Sequence, residues 1–237
     1  MSVGLVTGAA GGIGSACVRA LAGSAELIVL CGRRRKPLEQ VAAGLDARTA
    51  VVAGDIASAE GRDAVLGAIE GPLSWVVLAS GVPARRPLAE LDEGEVTETF
   101  AANLLGPALL LRRLLQLDWA APAAVVAIGS ISATRSLPGR SVYGSTKAGI
   151  EHLARTLAAE VASSGIRVNV VAPGVVETPF LGEATAALHR WVKESVPLAR
   201  SGTPEEIAEV VRYLILEAPP YLTGARVAVD GGAETVA

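Results

Sequence analysis

Tyr143 and Lys147, in the stretch YGSTK, stand four residues apart at the start of a long apolar helical pattern. Positions i and i+4 share one helix face, so a phenol and an ammonium come side by side. A nearby cation favours the phenolate, lowering a pKa otherwise near ~10 toward the range of a usable proton donor and acceptor. Each unit of lowering is about 1.4 kcal/mol of preference for the phenolate. An ordinary solvated helix pair has the same spelling, so the residues that gather around the pair must decide its meaning.

The elements that would gather them are legible as short apolar runs between longer helical patterns. The runs cover 3–7, 26–30, 49–53, 75–79, 123–129, 166–172 and 226–230. They are continuous rather than alternating, as expected of strands covered on both faces. Helical patterns fill 12–22, 36–45, 58–69, 89–116, 142–163 and 204–217. The last opens with TPEE, a threonine cap, a proline at the first helical position and two acids at the positive helix end. Alternation of this kind predicts an α/β fold, a doubly wound parallel sheet flanked by helices. No linker, charge block or repeat interrupts it, so one domain is expected over 1–237. Ligands of such sheets bind at the carboxyl ends of the strands.

Chemistry-bearing residues recur at those ends. The first run leads into TGAAGGIG, where Gly8, Gly12 and Gly14 open a helix. A glycine-rich strand-to-helix turn lets backbone N–H groups approach a pyrophosphate, although the spacing here is G-x-x-x-G-x-G rather than G-x-G-x-x-G. After the second run comes CGRRRK, with Arg33 and Arg34 and no acid. An acid there would suit the ribose hydroxyl of NAD, whereas an arginine suits the 2′-phosphate of NADP. Asp55 follows the third run and Gly81 the fourth, Ser130 the fifth, and a Pro173–Gly174 turn with Thr178 the sixth.

These motifs together resemble the short-chain dehydrogenase/reductase family over nearly the whole chain, 3-oxoacyl-carrier-protein reductases included. The matching stretches are TGAAGGIG, GDI, AANLLG, the serine followed by YGSTK, APGVVET and the closing PEEIAEVVRYLI and YLTGARVAVDGG. The resemblance implies a single Rossmann-type domain with seven parallel strands, a nicotinamide dinucleotide cofactor and a homotetramer or dimer. By position it makes Tyr143 the acid/base, Lys147 the group that tunes it and holds the nicotinamide ribose, Ser130 the orienter of the carbonyl, and Asn103 the holder of a relay water. It assigns the pyrophosphate to Gly8, Gly12, Ile13 and Gly14, and the adenine to Asp55 and Ile56. Ala79, Gly81, Pro173, Gly174, Val176 and Thr178 complete the cofactor site, the last two toward the carboxamide. Two departures stand out: LASG (78–81) replaces the family's NNAG, and Gly129 precedes Ser130 where a serine is common.

The expected function is NADP(H)-dependent interconversion of a ketone and a secondary alcohol. Reduction of 3-oxoacyl thioesters on a carrier protein and dinucleotide binding without catalysis are the alternatives. A lid over the substrate is expected at about 179–197, with Phe180, Leu181, Leu188 and Trp191 joined by Val82, Leu137 and Val175 as an apolar wall. Arg85, Arg86 and Arg135 are the residues that could meet a carrier's phosphopantetheine, and His189 is assigned to packing or surface.

Composition narrows the partners. A net charge of −3 on 237 residues, half of them hydrophobic, argues against nucleic acid. The longest uncharged run, 119–134, is too short for a membrane span and contains Pro122 and Gly129. The N-terminus does not read as a signal peptide. Cys17 and Cys31 form no CxxC pair and have no histidine at metal spacing, which suits a reducing cytoplasm and no bound metal.

Overall fold

The computed structural model describes residues 1–181 and 185–236. Seven parallel strands form one sheet: β1 (Val3–Thr7), β2 (Leu27–Gly32), β3 (Thr49–Ala53), β4 (Leu73–Leu78), β5 (Trp119–Ile128), β6 (Ile166–Pro173) and β7 (Arg226–Val229). Their order is β3-β2-β1-β4-β5-β6-β7. Chain order reverses direction between β1 and β4, which makes the crevice beside them the expected ligand position of a Rossmann-like sheet.

Helices cover both faces. On one, α1 (Gly12–Ala20), α2 (Arg35–Ala43) and α8 (Pro204–Leu216) pack Cys17, Val18, Leu38, Ile207, Val211 and Leu214 against Val6, Ile28, Leu30 and Val126. On the other, α3 (Ala59–Gly67), α5 (Gly106–Leu114) and α6 (Ser141–Val161) pack Val65, Leu110, Leu114, Ile150 and Leu157 against Leu5, Val29, Val76 and Val125. Each strand thus buries successive residues on opposite faces, which is why its sequence reads as a continuous apolar run. At roughly 1.5–3 kcal/mol for each large aliphatic side chain, these two cores are the main force holding the site's strand ends in register.

The pattern expected as one helix over 89–116 is broken into several elements. A short turn at Leu88–Glu90 precedes α4 (Glu93–Phe100), a π turn spans Ala101–Leu105, and α5 begins at Gly106. Asp92 starts α4 as an N-cap, its side chain accepting from the Glu95 N–H at 2.8 Å while Glu95 reaches back to the Asp92 N–H. Pro107 has no N–H for the carbonyl of residue 103, and the helix widens just before it. A further helix, α7 (Ala186–Ser195), lies within the expected lid; residues 182–184 of that segment, like Ala237, fall outside the described residues. Among the described residues no helix is long and apolar enough to cross a membrane, and no cluster of His, Cys, Asp and Glu could hold a metal ion.

Candidate active site

The strand ends converge on one cleft of about 790 Å³. Every residue expected at the cofactor lines it: Gly8, Gly12, Ile13, Gly14, Arg33, Arg34, Asp55, Ile56, Ala79, Gly81, Tyr143, Lys147, Pro173, Gly174, Val176 and Thr178. Ser130 lines it as well, whereas Asn103 does not and stands buried immediately behind.

The glycines at the start of α1 have steric reasons to be glycine. Gly8 has φ +66°, and a Cβ there would press on the Ala79 carbonyl at 2.6 Å. A Cβ on Gly14 would overlap the Gly8 carbonyl, and one on Gly12 would overlap the Thr178 side chain. The turn therefore presents bare backbone at Gly8, Gly12 and Gly14, at the positive end of a helix that carries no acid in its first turn. That chemistry fits a pyrophosphate.

At the end of the cleft expected to take the adenosine, β2 finishes at Gly32 and the next two residues are Arg33 and Arg34. Arg33 is exposed and lies 3.4 Å from Glu98. Asp55 is exposed and accepts from the Ala57 N–H at 2.9 Å, a turn contact, while Ile56 is buried. In place of the asparagines of NNAG, Thr7 ties β1 to the segment after β4. Its carbonyl accepts from the Ala79 N–H at 3.2 Å and its Oγ1 from the Ser80 N–H at 3.3 Å.

At the other end, α6 places Tyr143 and Lys147 on one face, with the Lys147 Nζ 5.8 Å from the phenol ring centroid. The ammonium donates to the Ile128 carbonyl at 2.8 Å, which pins it to the end of β5. Burial pushes this amine down to about 8, opposed by the Glu151 carboxylate one turn along. Burial also raises the Tyr143 phenol above its ordinary value; the Ser130 hydroxyl, Arg140 and Arg85 pull it back. In the protein alone burial outweighs the cations that oppose it, Arg140 and Arg85, two arginines which the sequence reading did not connect with Tyr143.

Asn103 is held in the π turn. Its Oδ1 accepts from the Val82 N–H at 2.7 Å, and its Nδ2 donates to the Val82 carbonyl at 3.0 Å and to Thr146 Oγ1 at 3.1 Å. It therefore braces the segment after β4 against α6.

Behind Ser130 lies an ion network that sequence reasoning missed. The Ser130 N–H donates to Glu151 at 3.2 Å, and Arg226 Nε donates to the other Glu151 oxygen at 2.8 Å. Arg226 also forks onto both oxygens of Glu234, at 2.7 and 2.5 Å. Glu151 is 4% exposed, so its charge is compensated in a dry site. The network also accounts for Gly129: a Cβ there would overlap the Glu151 carboxylate. The spacing of Lys147 and Glu151 was a readable signal, since residues four apart share a helix face; the partner on β7 was not.

The expected apolar wall is assembled: Val82, Leu137, Val175, Phe180, Leu181, Leu188 and Trp191 all line the cleft. Phe180 packs 6.0 Å from Tyr143, centroid to centroid. Of the three arginines grouped by sequence, only Arg85 lines the cleft. Arg86 pairs with Glu95, and Arg135 donates to the Ala233 carbonyl at 2.6 Å while lying over Trp191. His189 is exposed and outside the cleft.

A fold with a phosphate cradle at one end of a cleft and a tyrosine, serine and lysine at the other defines a class of dinucleotide-dependent enzymes. The chain matches the family model described as enoyl-(acyl carrier protein) reductase over residues 8–234. It is 34% identical over 238 residues to cis-4-hydroxycyclohexanecarboxylate dehydrogenase of Sinomonas cyclohexanicum, covering 97% of this chain and 95% of that one. It is 32% identical over 240 residues to a tropinone reductase homolog of Arabidopsis thaliana, covering 96% and 90%. The crystal structure of a short-chain dehydrogenase/reductase of the glucose/ribitol dehydrogenase kind from Brucella melitensis superposes with a TM-score of 0.90 at 32% identity, covering 98% and 96%. The chain belongs to the short-chain dehydrogenase/reductase family, oxidoreductases that bind a nicotinamide dinucleotide and act on alcohol or carbonyl groups of small molecules.

Proposed function

We propose that this chain is an NADP(H)-dependent oxidoreductase that interconverts a ketone and a secondary alcohol, with Tyr143 as its acid/base. The observation that carries the reading is the meeting of Tyr143, Lys147 and Ser130 at one end of a cleft that the glycine turn of Gly8, Gly12 and Gly14 also lines. The names of the relatives, a hydroxy-acid dehydrogenase and a tropinone reductase homolog, support the same reaction type.

Gly8, Gly12, Ile13 and Gly14 would hold the pyrophosphate, Asp55 and Ile56 the adenine, and Val176 and Thr178 the carboxamide. Arg33, backed by Arg34, would take the 2′-phosphate, since β2 ends without the acid that an NAD site uses. A bound nicotinamide dinucleotide would supply or accept the hydride. The phenol gives its proton to the carbonyl oxygen as the alcohol forms and takes it back in the reverse direction. The Ser130 hydroxyl orients that oxygen. Lys147, anchored on the Ile128 carbonyl, would hold the ribose and replenish the proton, with Asn103 fixing the wall through which a relay water would reach it. Leu105 and Leu109 leave an apolar outer face between α4 and α5, which supports assembly as a dimer or tetramer.

Tyr143→Phe tests the assignment. It is expected to bind NADPH as the parent does, by fluorescence titration, and to lose about 10²–10⁴-fold in kcat for ketone reduction, the share of a positioned general acid. Undiminished turnover refutes the role of the tyrosine.

A further inference from the structure

The substrate end of the cleft has a charge that the reaction itself does not require. Arg85 and Arg140 both line it, and every acid among the described lining residues, Asp55 and Glu98, lies at the adenosine end with Arg33 and Arg34. Arg140 caps the start of α6, three residues before Tyr143, and its guanidinium carbon is 5.8 Å from the phenol ring centroid. Among the described residues Arg140 makes no ion pair or side-chain hydrogen bond. Arg85 reaches across to the lid, donating to the Phe180 carbonyl at 2.6 Å and to the Leu181 carbonyl, and lies over the Phe180 ring. Its Nε is buried and unpartnered among the described residues. Orphaned donors on a partly desolvated cation are costly, and two such cations repel each other. Burial holds both guanidiniums below their ordinary value, and for Arg140 the charge of Arg85 adds to the effect.

We propose that the substrate carries a carboxylate, gripped by Arg140 with the charge of Arg85 beside it, so that the chain interconverts hydroxy acids and oxo acids with an apolar body. The proposal rests on the oxidoreductase reading above and names the substrate class of that site. A free guanidinium fork matches the two oxygens of a carboxylate. Arg85 already gives its outer nitrogens to the lid carbonyls, which leaves the single fork of Arg140 for the two oxygens of a monoanion rather than for the three oxygens of a phosphate. Phe180, Leu181, Leu188 and Trp191 take the apolar body, and the carboxylate lies on the Tyr143 side, at the mouth of α6.

The test compares oxo acids with their primary amides, which have the same shape and no charge, in NADPH-linked reduction. The wild-type protein is expected to favour the acid over the amide by about 10- to 100-fold in kcat/KM, the range for hydrogen bonds to a charged partner. Arg140→Gln is expected to collapse that ratio, mainly through KM for the acid, and Arg140→Lys to restore part of it. A second readout needs no turnover: calorimetric binding of a cyclic carboxylic acid without a carbonyl, expected to weaken by a similar factor in Arg140→Gln. An unchanged NADPH titration and melting temperature show that the variant is folded. Equal wild-type use of acid and amide, or equal losses on both in Arg140→Gln, overturns the carboxylate while leaving the oxidoreductase reading intact. Tighter binding of the matching phosphonate overturns the choice of carboxylate over phosphate. If the wild-type protein reduces neither the acids nor the amides with either nicotinamide cofactor, the oxidoreductase reading fails first.

Discussion

Replacing Lys147 by methionine is expected to stabilise the cofactor-free protein at neutral pH while abolishing turnover. Lys147 is buried among backbone and apolar groups, and its amine titrates at about 8 in place of 10.5. A base whose folded pKa lies below its unfolded value binds fewer protons when folded. The folded state is therefore penalised at low pH, fully below about 8, and the penalty disappears as pH rises through 10.5. The gap corresponds to about 3 kcal/mol at pH 7. Methionine keeps the apolar stem but loses the hydrogen bond from the charged amine to the Ile128 carbonyl, worth roughly 1.5–3 kcal/mol. A net gain of up to about 1.5 kcal/mol at pH 7 should remain, shrinking from pH 8 upward and reversing in sign near 10.5, where only the lost hydrogen bond counts.

Urea unfolding of both chains from pH 6 to 10.5 measures this, and the difference between them is the quantity to plot. Cys17 and Cys31, whose thiols burial raises to about 12, make both chains lose stability as pH rises past 9, and that loss cancels in the difference. A variant less stable than the parent by the same amount at every pH refutes the reasoning, because it means the amine is charged without a desolvation cost.

Two further substitutions probe the cofactor end. Arg33→Ala is expected to weaken NADPH binding about 10- to 100-fold and NADH binding little, since its exposed pair with Glu98 is worth under ~1 kcal/mol and yields readily to a phosphate; equal losses for both cofactors would place the 2′-phosphate elsewhere. Gly14→Ala forces a methyl into the Gly8 carbonyl, so it should cost about 1–3 kcal/mol in urea unfolding and abolish the dinucleotide fluorescence change. An unaltered titration would show that the cradle is not where the pyrophosphate sits.

The strands were legible because burial on both faces leaves little choice of residue along them. Tyr143 and Lys147 were legible because their relation is local, one turn of one helix. The division of 89–116 was partly spelled by Asp92 and Pro107, but the apolar pattern runs on across both breaks and hides them. Arg140 and the network of Glu151, Arg226 and Glu234 were not legible as site residues. Their meaning depends on β5, α6 and β7 arriving together, and an arginine on a loop looks the same in sequence whether it faces water or Tyr143. LASG lacks the amides of NNAG, and the ties that Thr7 makes from the neighbouring strand were not visible in the sequence.

The contact between Gly129 and Glu151 binds the history of two positions 22 residues apart. While Glu151 keeps its place, any side chain at 129 collides with a carboxylate that Arg226 and the Ser130 N–H hold still. A serine placed at 129 would need the glutamate at 151 removed or shortened with it. A side chain at 129 and an acid at 151 are thus mutually exclusive choices, so the two positions can be exchanged only together.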